Sequence, residues 1–215
     1  MTEATFIQLH GIPRILNGRN LIAQTLPGSG KTVAFTIGMI STVDTSVSRP
    51  QVLCLAPTRE LANQIIADAV IKLSSRITKK GTSECAIKVA AAISQDSVDN
   101  RPARGSICDA HIVVGTPGTV SNWIRYRYLD LSHIKMFVLD EADYMIDQGV
   151  SMPSSKATGS FGTTLPPLGH QTVDILKQIQ RAIGQRPIQY LFFSATFPED
   201  VLRFTKVLFY YQHQY

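Results

Sequence analysis

The stretch LIAQTLPGSGKT, at residues 21–32, contains the feature that decides the fold. Its first residues, Leu21-Ile22-Ala23, are apolar and favour the end of a β-strand. A glycine-containing loop follows at 28–30, and a helical pattern begins at Lys31. A strand that leads through such a loop into a helix is typical of a phosphate-binding loop, because the loop N–H groups and the helix N-terminus attract anions.

The side chains at the end of this loop indicate which phosphates it binds. Lys31 is expected to place its cation on the β- and γ-phosphates of a nucleotide, and Thr32 to place its hydroxyl on Mg²⁺. The glycines let the backbone fold into a ring of N–H donors. The candidate nucleotide-binding residues of the loop are therefore Gly28, Ser29, Gly30, Lys31 and Thr32.

Two residues of the loop depart from the general motif. Thr25 stands where the motif has glycine, and Pro27 lies inside the loop. Because proline has no N–H donor, weaker nucleotide binding is predicted. A glycine–serine turn that only caps a helix is the alternative interpretation, and the acidic strand end described next argues against it.

Four residues, Asp140-Glu141-Ala142-Asp143, directly follow the apolar run Phe137-Val138-Leu139. The carboxyl ends of parallel strands meet at one crevice, so these carboxylates are expected near the phosphate loop. Asp140 is placed to hold Mg²⁺, largely through water. Glu141 is placed to orient or deprotonate the water that attacks the γ-phosphate. Simple capping of a helix N-terminus is the alternative, and Asp143 alone would satisfy it.

Short apolar runs alternate with helical patterns along the 215 residues, which predicts an α/β fold with a mostly parallel sheet and helices on both faces. The predicted strands are Asn20–Gln24, Val52–Ala56, Ile87–Ala91, His111–Val114, Lys135–Leu139 and Gln189–Phe193. The predicted helices are Lys31–Val43, Glu60–Ser74, Thr119–Tyr126, Val173–Ile183 and Glu199–Phe209. Surface loops are predicted at Thr78–Ser83 and, as a disordered segment, at Val150–Gly169.

The composition is that of a globular domain with a basic surface. Hydrophobic residues make up 44% of the chain and charged residues 17%, which argues against disorder. The net charge of +5 is compatible with nucleic-acid binding but is a weak signal. Neither a membrane-spanning stretch nor the layout of a signal peptide is found, and three scattered cysteines indicate reduced thiols. An intracellular protein without a membrane association is expected.

These motifs together resemble the first, N-terminal RecA-like domain of a DEAD-box ATP-dependent RNA helicase. Residues 140–143 match the name-giving motif, and residues 28–32 match the family's phosphate loop. The family's usual Ala-x-Thr before that loop is here Thr25-Leu26-Pro27. The stretch Ser194-Ala195-Thr196 matches the motif that couples hydrolysis to RNA handling, a role for which Asp143 is also a candidate.

The resemblance also implies residues for the RNA backbone and for the base of ATP. Gln8, five residues before Pro13, resembles the family's adenine-reading glutamine. Two segments match those that grip the sugar–phosphate backbone of single-stranded RNA. Their candidate residues are Pro57, Thr58, Arg59, Glu60, Thr116, Pro117 and Gly118.

Finer features resemble the mRNA-export branch of the family, which acts at the nuclear pore. They lie in Asn20–Gln24, in Gly115–Val120 with Trp123, and in Ile134–Leu139. This branch implies partners among nuclear-pore or mRNA-export factors and a location in the cytoplasm and nucleus. The segment Val150–Gly169 would then be an insertion or an error in the gene model.

The implied activity is ATP-dependent bending of an RNA strand and remodelling of RNA–protein complexes by a monomer. In the family, a second RecA-like domain supplies arginines to the hydrolysis site, and the sequence after Thr196 has room for about one helix. We therefore expect the second domain to be absent and the isolated chain to be nearly inactive. Two alternatives are a truncated, non-catalytic half that binds RNA or a partner, and an unrelated phosphate-loop ATPase such as a DNA translocase.

Overall fold

One parallel β-sheet with helices on both faces forms the centre of the chain. The computed structural model describes residues 3–73, 87–94, 102–103, 105–150 and 168–212. Its strands are β1 (Leu21–Gln24), β2 (Val52–Leu55), β3 (Val89–Ala92), β4 (Ile112–Gly115), β5 (Met136–Asp140) and β6 (Gln189–Ser194). They lie in the order β1-β6-β5-β2-β4-β3, and every neighbouring pair is parallel. The predicted α/β fold is confirmed.

The helices divide between the two faces of this sheet. They are α1 (Phe6–Leu16), α2 (Lys31–Thr42), α3 (Arg59–Gln64), α4 (Pro117–Arg125), α5 (Ala142–Val150), α6 (Leu168–Ile183) and α7 (Glu199–Gln212). A π-helix, Ile65–Ile71, continues α3. Residues of α1, α2 and α3 form one apolar cluster with the sheet, and residues of α4 to α7 form the other. None of the helices in the described ranges has the length and apolar character needed to cross a bilayer.

The central strand β5 shows why the strands appear in the sequence as continuous apolar runs. Phe137 and Leu139 are buried in the cluster beneath α4–α7, whereas Met136 and Val138 are buried in the cluster beneath α1–α3. Successive side chains of a strand point to opposite faces, so a strand covered on both faces is apolar at every position. Asp140 is the first polar residue of the strand and lies at its carboxyl end.

Two helices were not predicted from the sequence. The α1 pattern is obscured by Gly11 and by Pro13, which lies inside the helix. The α5 pattern is short and begins directly after the acidic strand end, but Ala142, Met145 and Ile146 have the spacing of a buried helix face.

The predicted loops lie mostly outside the described residues. Within the predicted disordered segment, Val150 belongs to α5 and Gly169 to α6, which begins at Leu168 rather than at Val173. Residues 151–167 and the predicted loop at 78–83 lie outside the described ranges.

Replacing Gly115 tests how closely β3 and β4 pack. A Cβ atom at this position would overlap the backbone carbonyl oxygen of Ala92 in the neighbouring strand, which cannot move aside. We expect Gly115→Ala to lower the free energy of unfolding by about 2–3 kcal/mol. Urea denaturation measures the change. Gly118→Ala is the matched control, because its Cβ would lie at an ordinary 3.4 Å from Gln171 Oε1; equal destabilisation of both variants would contradict the expectation.

Candidate functional site

The strand order brings three predicted motifs to one edge of the sheet. The phosphate loop follows β1, Ser194 ends β6, and Asp140 ends β5. Because β6 pairs with both β1 and β5, the three carboxyl ends lie side by side. The backbone N–H of Thr25 donates to the Ser194 carbonyl oxygen at 2.9 Å, which carries the β1–β6 pairing into the phosphate loop.

Lys31 is held between Asp140 and Glu141, the two carboxylates predicted to hold Mg²⁺ and to activate water. It is the first residue of α2 and is only 7% exposed. Its Nζ atom donates to Glu141 Oε1 at 2.6 Å and lies 3.7 Å from Asp140 Oδ1. The phosphate loop and the acidic strand end therefore meet through a buried cation, although the two residues are 110 positions apart in sequence.

Asp140 is a carboxylate in a poorly solvated place. Its burial raises its pKa, with a further increase from the Glu141 charge, while the charge of Lys31 acts in the opposite direction. A carboxylate that has lost its water favours a nearby cation. Asp140 and the Thr32 hydroxyl are hard oxygen donors of the kind that Mg²⁺ prefers.

Mg²⁺ needs few ligands from the protein. Among the described residues, no group of three or more histidine, cysteine or acidic side chains is placed to hold a metal ion. Mg²⁺ usually binds one or two carboxylates and keeps water and phosphate oxygens as its other ligands. The donors of the site are therefore suited to a magnesium–nucleotide complex.

Glu141 has an unusual backbone conformation directly after β5. Its φ is +53°, in the left-handed region that residues other than glycine rarely adopt, and its N–H donates to Asp140 Oδ1 at 3.2 Å. Such a conformation costs on the order of 1–3 kcal/mol and is concentrated at functional sites. The side chain of Glu141 is 31% exposed, whereas those of Lys31 and Asp140 are 8% and 6% exposed. Glu141 is thus the carboxylate that solvent reaches.

Gln8 lies over the phosphate loop. Its Nε2 donates to the Gly30 carbonyl oxygen at 3.4 Å, and its Oε1 accepts from the backbone N–H of Thr5 at 3.2 Å. Gly30 has a φ of +84°, and a Cβ at that position would overlap the Gln8 amide. Sequence reasoning missed Thr5, although the pattern Thr5-x-x-Gln8 is the signal of a helix-capping box.

The predicted coupling residues are in contact. Thr196 Oγ1 donates to Asp143 Oδ2 at 2.5 Å, and the backbone N–H of Thr196 donates to Ser194 Oγ at 3.4 Å. Burial alone would raise the pKa of Asp143, but the nearby hydroxyls of Ser194 and Thr196 outweigh it and lower the pKa. The start of α5 is thereby tied to the loop after β6.

The predicted RNA-binding residues lie on the other half of the same sheet edge. Thr58 and Thr116 are the N-cap residues of α3 and α4, and these helices follow the paired strands β2 and β4. Arg59 is exposed, and its Nη1 donates to the carbonyl oxygen of Ser94, which follows β3 and was not predicted. The same two segments contain the remaining candidates, Pro57, Glu60, Pro117 and Gly118. Strand β5 separates this group from the phosphate loop.

Comparison with known proteins points to one family. The family model for DEAD/DEAH box helicases matches residues 5–204. The chain is 40% identical over 202 residues to the ATP-dependent RNA helicase dbp5 of Schizosaccharomyces pombe, which covers 93% of this chain and 33% of that protein. The chain spans about a third of the length of the curated relatives that it matches.

Solved structures support the same assignment. The structure of S. cerevisiae Dbp5 bound to RNA and ADP BeF3 is similar with a TM-score of 0.71 and 32% identity, and the match covers 96% of this chain and 44% of that chain. A variant of S. cerevisiae Dbp5 bound to Nup159, a variant of Gle1, IP6 and ADP has a TM-score of 0.72 at 32% identity, covering 96% and 46%. These likenesses confirm the predicted RecA-like fold.

The lowered pKa of Asp143 gives a pH-dependent prediction. A carboxyl whose pKa is lower in the folded state adds stability above its unfolded pKa of about 4, and that stability is lost as pH falls through the folded value. Thr196→Val removes one donor, so we expect it to lower the free energy of unfolding by about 1 kcal/mol at pH 7. The difference in free energy of unfolding between Thr196→Val and the unsubstituted chain should become smaller below pH 4.

Denaturant titrations between pH 3 and pH 7 measure this difference. Thr205→Val is the control, because the Thr205 hydroxyl donates to the Leu202 carbonyl oxygen and not to a titrating group. A Thr196→Val effect that is equally large at pH 3 and pH 7 would exclude the Asp143 carboxylate as its cause.

Proposed function

The chain belongs to the DEAD/DEAH box helicase family, and from this we propose that it is the ATP-binding domain of an ATP-dependent RNA helicase. In this proposal, ATP binding and hydrolysis are coupled to bending of an RNA strand and to remodelling of RNA–protein complexes during mRNA export. The observation that carries the proposal is the buried Lys31, which lies between Asp140 and Glu141 at the phosphate loop.

The nucleotide would bind along the carboxyl ends of β1, β6 and β5. Residues 28–32 would surround its phosphates, Asp140 and Thr32 would hold Mg²⁺ largely through water, and Gln8 would hydrogen-bond the adenine. When bound, Mg²⁺ neutralises charge on the phosphate oxygens. Gln8 already lies over Gly30, so a base placed beside the loop would be within reach of its amide.

Lys31 and Glu141 would change partners when a triphosphate binds. The γ-phosphate carries more negative charge than a single carboxylate, so Lys31 would leave Glu141 for it. The partly exposed Glu141 carboxylate would then be able to orient a water molecule or to accept its proton. The present ion pair is therefore interpreted as the resting arrangement of the two groups.

A connected set of contacts supports coupling between hydrolysis and RNA handling. The N–H of Thr25 in the phosphate loop donates to Ser194, the N–H of Thr196 donates to Ser194 Oγ, and the hydroxyl of Thr196 donates to Asp143. Movement of the loop on nucleotide binding would pull on the end of β6 and on the start of α5. We propose that this set transmits the nucleotide state to the rest of the domain.

The RNA partner would be a single strand gripped by its backbone. Thr58, Arg59, Thr116 and Gly118 lie at neighbouring helix N-termini, which favour phosphate oxygens. Phosphate contacts position a strand without reading its sequence. The relatives of known structure are bound to RNA, Nup159 and Gle1, and we propose related nuclear-pore factors as partners, a monomeric state, and a location in the cytoplasm and nucleus, at the nuclear pore.

Substitution of Lys31 and of Glu141 tests the proposed active site. Lys31→Ala removes the cation for the phosphates, so we expect Mg-ADP binding to fall about a hundredfold or more. Glu141→Gln should keep Mg-ADP binding within a few-fold, and should lower ATP hydrolysis by about 10²–10⁴ in the chain joined to a relative's second RecA-like domain. Calorimetry and a phosphate-release assay measure the two quantities.

Two surface variants on α7 serve as matched controls for these substitutions. Glu199→Gln and Lys206→Ala change the same residue types at exposed positions of α7, outside the candidate site, and neither should alter binding or hydrolysis. Unchanged turnover in Glu141→Gln would refute its role in activating water. A chain that binds RNA or a partner tightly but gives no heat with Mg-ADP would favour the non-catalytic alternative.

Substitution of Arg59 tests the RNA surface. We expect Arg59→Ala to weaken binding of oligo(U) and oligo(A) by the same factor and to reduce the slope of log K against log[salt] by about 0.7, the value for one phosphate contact on a single strand. Fluorescence anisotropy at several salt concentrations measures both. Arg203→Ala, an exposed arginine paired with Glu199 on α7, is the control. A sequence-dependent loss would indicate base readout instead.

A further inference from the structure

The turn that ends α4 holds a cluster of aromatic and basic side chains that the proposed function does not use. The sequence there is Arg125-Tyr126-Arg127-Tyr128, and the first three of these residues are exposed. The guanidinium carbon of Arg125 lies 5.0 Å from the centroid of the Tyr126 ring, and Arg125 Nη2 donates to the Tyr126 hydroxyl at 3.0 Å. Tyr126 is nevertheless 56% exposed. A cation thus lies over one face of an aromatic ring that still has surface open to a ligand.

Arg127 occupies a backbone position that favours glycine. Its φ is +60°, and its N–H donates to the Ile124 carbonyl oxygen at 3.0 Å, while the N–H of Tyr128 donates to the Trp123 carbonyl oxygen at 2.8 Å. These two bonds form a Schellman motif, in which the position of Arg127 is usually taken by glycine. An arginine there carries a steric cost that glycine does not. The end of the helix by itself therefore gives no reason for an arginine at this position.

The two arginines of the cluster are not neutralised by a carboxylate within the described part of the chain. Neither Arg125 nor Arg127 makes an ion pair there. Asp130, which follows shortly in the sequence, accepts a hydrogen bond from the N–H of Ser132, and its Oδ2 lies 3.8 Å from His133 Nδ1. Exposed arginines beside an exposed aromatic ring are typical of surfaces that bind single-stranded nucleic acid, because bases stack on the ring and phosphates attract the cations.

Helix α4 connects this cluster to the proposed RNA surface. Thr116 and Gly118 lie at its N-terminus, and Tyr126 directly follows its last residue, about 15 Å farther along the helix axis. Asn122 is exposed and lies one turn before Tyr126 on the same face of the helix. None of the residues of α4 is acidic. A strand that runs from the N-terminus of α4 along this face therefore meets no carboxylate of the helix before it reaches Tyr126.

We propose that Arg125, Tyr126 and Arg127 form a second contact site for single-stranded RNA. A base stacks on the face of the Tyr126 ring opposite Arg125, and the guanidinium groups of Arg125 and Arg127 bind the phosphates beside it. This inference rests on the proposed function and deepens it, because it extends the RNA surface from the N-terminus of α4 to its C-terminus.

A protein partner is the competing occupant of such a surface. Tyrosine and arginine are also frequent among the residues that contribute most to protein–protein binding. The position of the cluster favours RNA, because the helix that carries it begins at the proposed RNA surface.

Fluorescence anisotropy with oligo(U) of about fifteen nucleotides, at low salt, tests the proposal on the 215-residue chain. We expect Tyr126→Ala to lower the affinity about tenfold, because one stacked base is lost, and to leave the slope of log K against log[salt] unchanged. Tyr126→Phe keeps the ring and should retain the affinity. Phe6→Ala is the matched control, because it removes an exposed aromatic ring from α1 and should not change RNA binding.

Arg127→Gly separates RNA binding from folding. Glycine fits the positive φ, so we expect the melting temperature to rise by about 2–4 °C. The affinity for oligo(U) should fall several-fold, and the salt slope should decrease by about 0.7, the value for one phosphate contact on a single strand. A merely structural role for Arg127 would not combine higher stability with weaker binding. Arg203→Ala removes an exposed arginine from α7 and is the control for charge.

Unchanged oligo(U) affinity in both Tyr126→Ala and Arg127→Gly, while Arg59→Ala still weakens binding, would overturn the inference and leave the proposed RNA surface standing. The cluster would then be a candidate surface for a protein partner. An equal loss of affinity in Phe6→Ala and Arg203→Ala would also overturn it, because a general effect of surface composition would be the cause. If the unsubstituted chain does not bind oligo(U) at low salt, the proposed RNA binding fails, and this inference fails with it.

Discussion

The parallel pairing of β6 with β1 on one side and with β5 on the other is the constraint on which the site depends. It brings the phosphate loop, Ser194 and Asp140 to the same edge, although they are far apart in the chain. The pairing is itself enforced by burial on both faces, since side chains of β5 alternate between two apolar clusters. A shift in register by one residue would exchange the two faces and move Asp140 out of line with the loop.

At this edge the chain buries a lysine next to two carboxylates. Removing one partner from a buried ion pair leaves an uncompensated charge, which costs far more than an exposed pair contributes. The arrangement is therefore stable only while Lys31 has an anionic partner. In the structure the nearer partner is Glu141, which reaches Lys31 from a strained backbone position, and Asp140 lies farther away at 3.7 Å. A nucleotide phosphate is the kind of ligand that can replace it.

The loop itself combines rigid and unsatisfied parts. The backbone of the loop is fixed by the bond from the Ser29 N–H to the Leu26 carbonyl oxygen and by the bond from the Thr25 N–H to Ser194. The hydroxyls of Thr25 and Ser29 remain without partners among the described residues. The same bond to Ser194 connects the loop to Thr196, whose backbone N–H donates to Ser194 Oγ and whose hydroxyl donates to the Asp143 carboxylate. The candidate nucleotide site and the candidate coupling residues thus share one continuous set of backbone and side-chain bonds.

Local sequence determined much of the fold. The six strands were predicted to within a few residues, because strands buried on both faces are continuous apolar runs that need no knowledge of their partners. The loop around Gly30 and the acidic end of β5 were also predicted from the sequence, since their proposed roles depend on residue type and spacing. Helix α1 was missed, because its glycine and proline are unfavourable for a helix and packing against the sheet outweighs that preference.

Only the tertiary structure decided which of the candidate residues touch. The bonds from Lys31 to Glu141, from Thr196 to Asp143 and from Arg59 to Ser94 all depend on the order of the strands. That order follows from how both faces of the sheet are covered at once, a property of the whole chain. The sequence by itself therefore determined which chemical groups lie at the strand ends, and the packing of the sheet decided which of those groups meet.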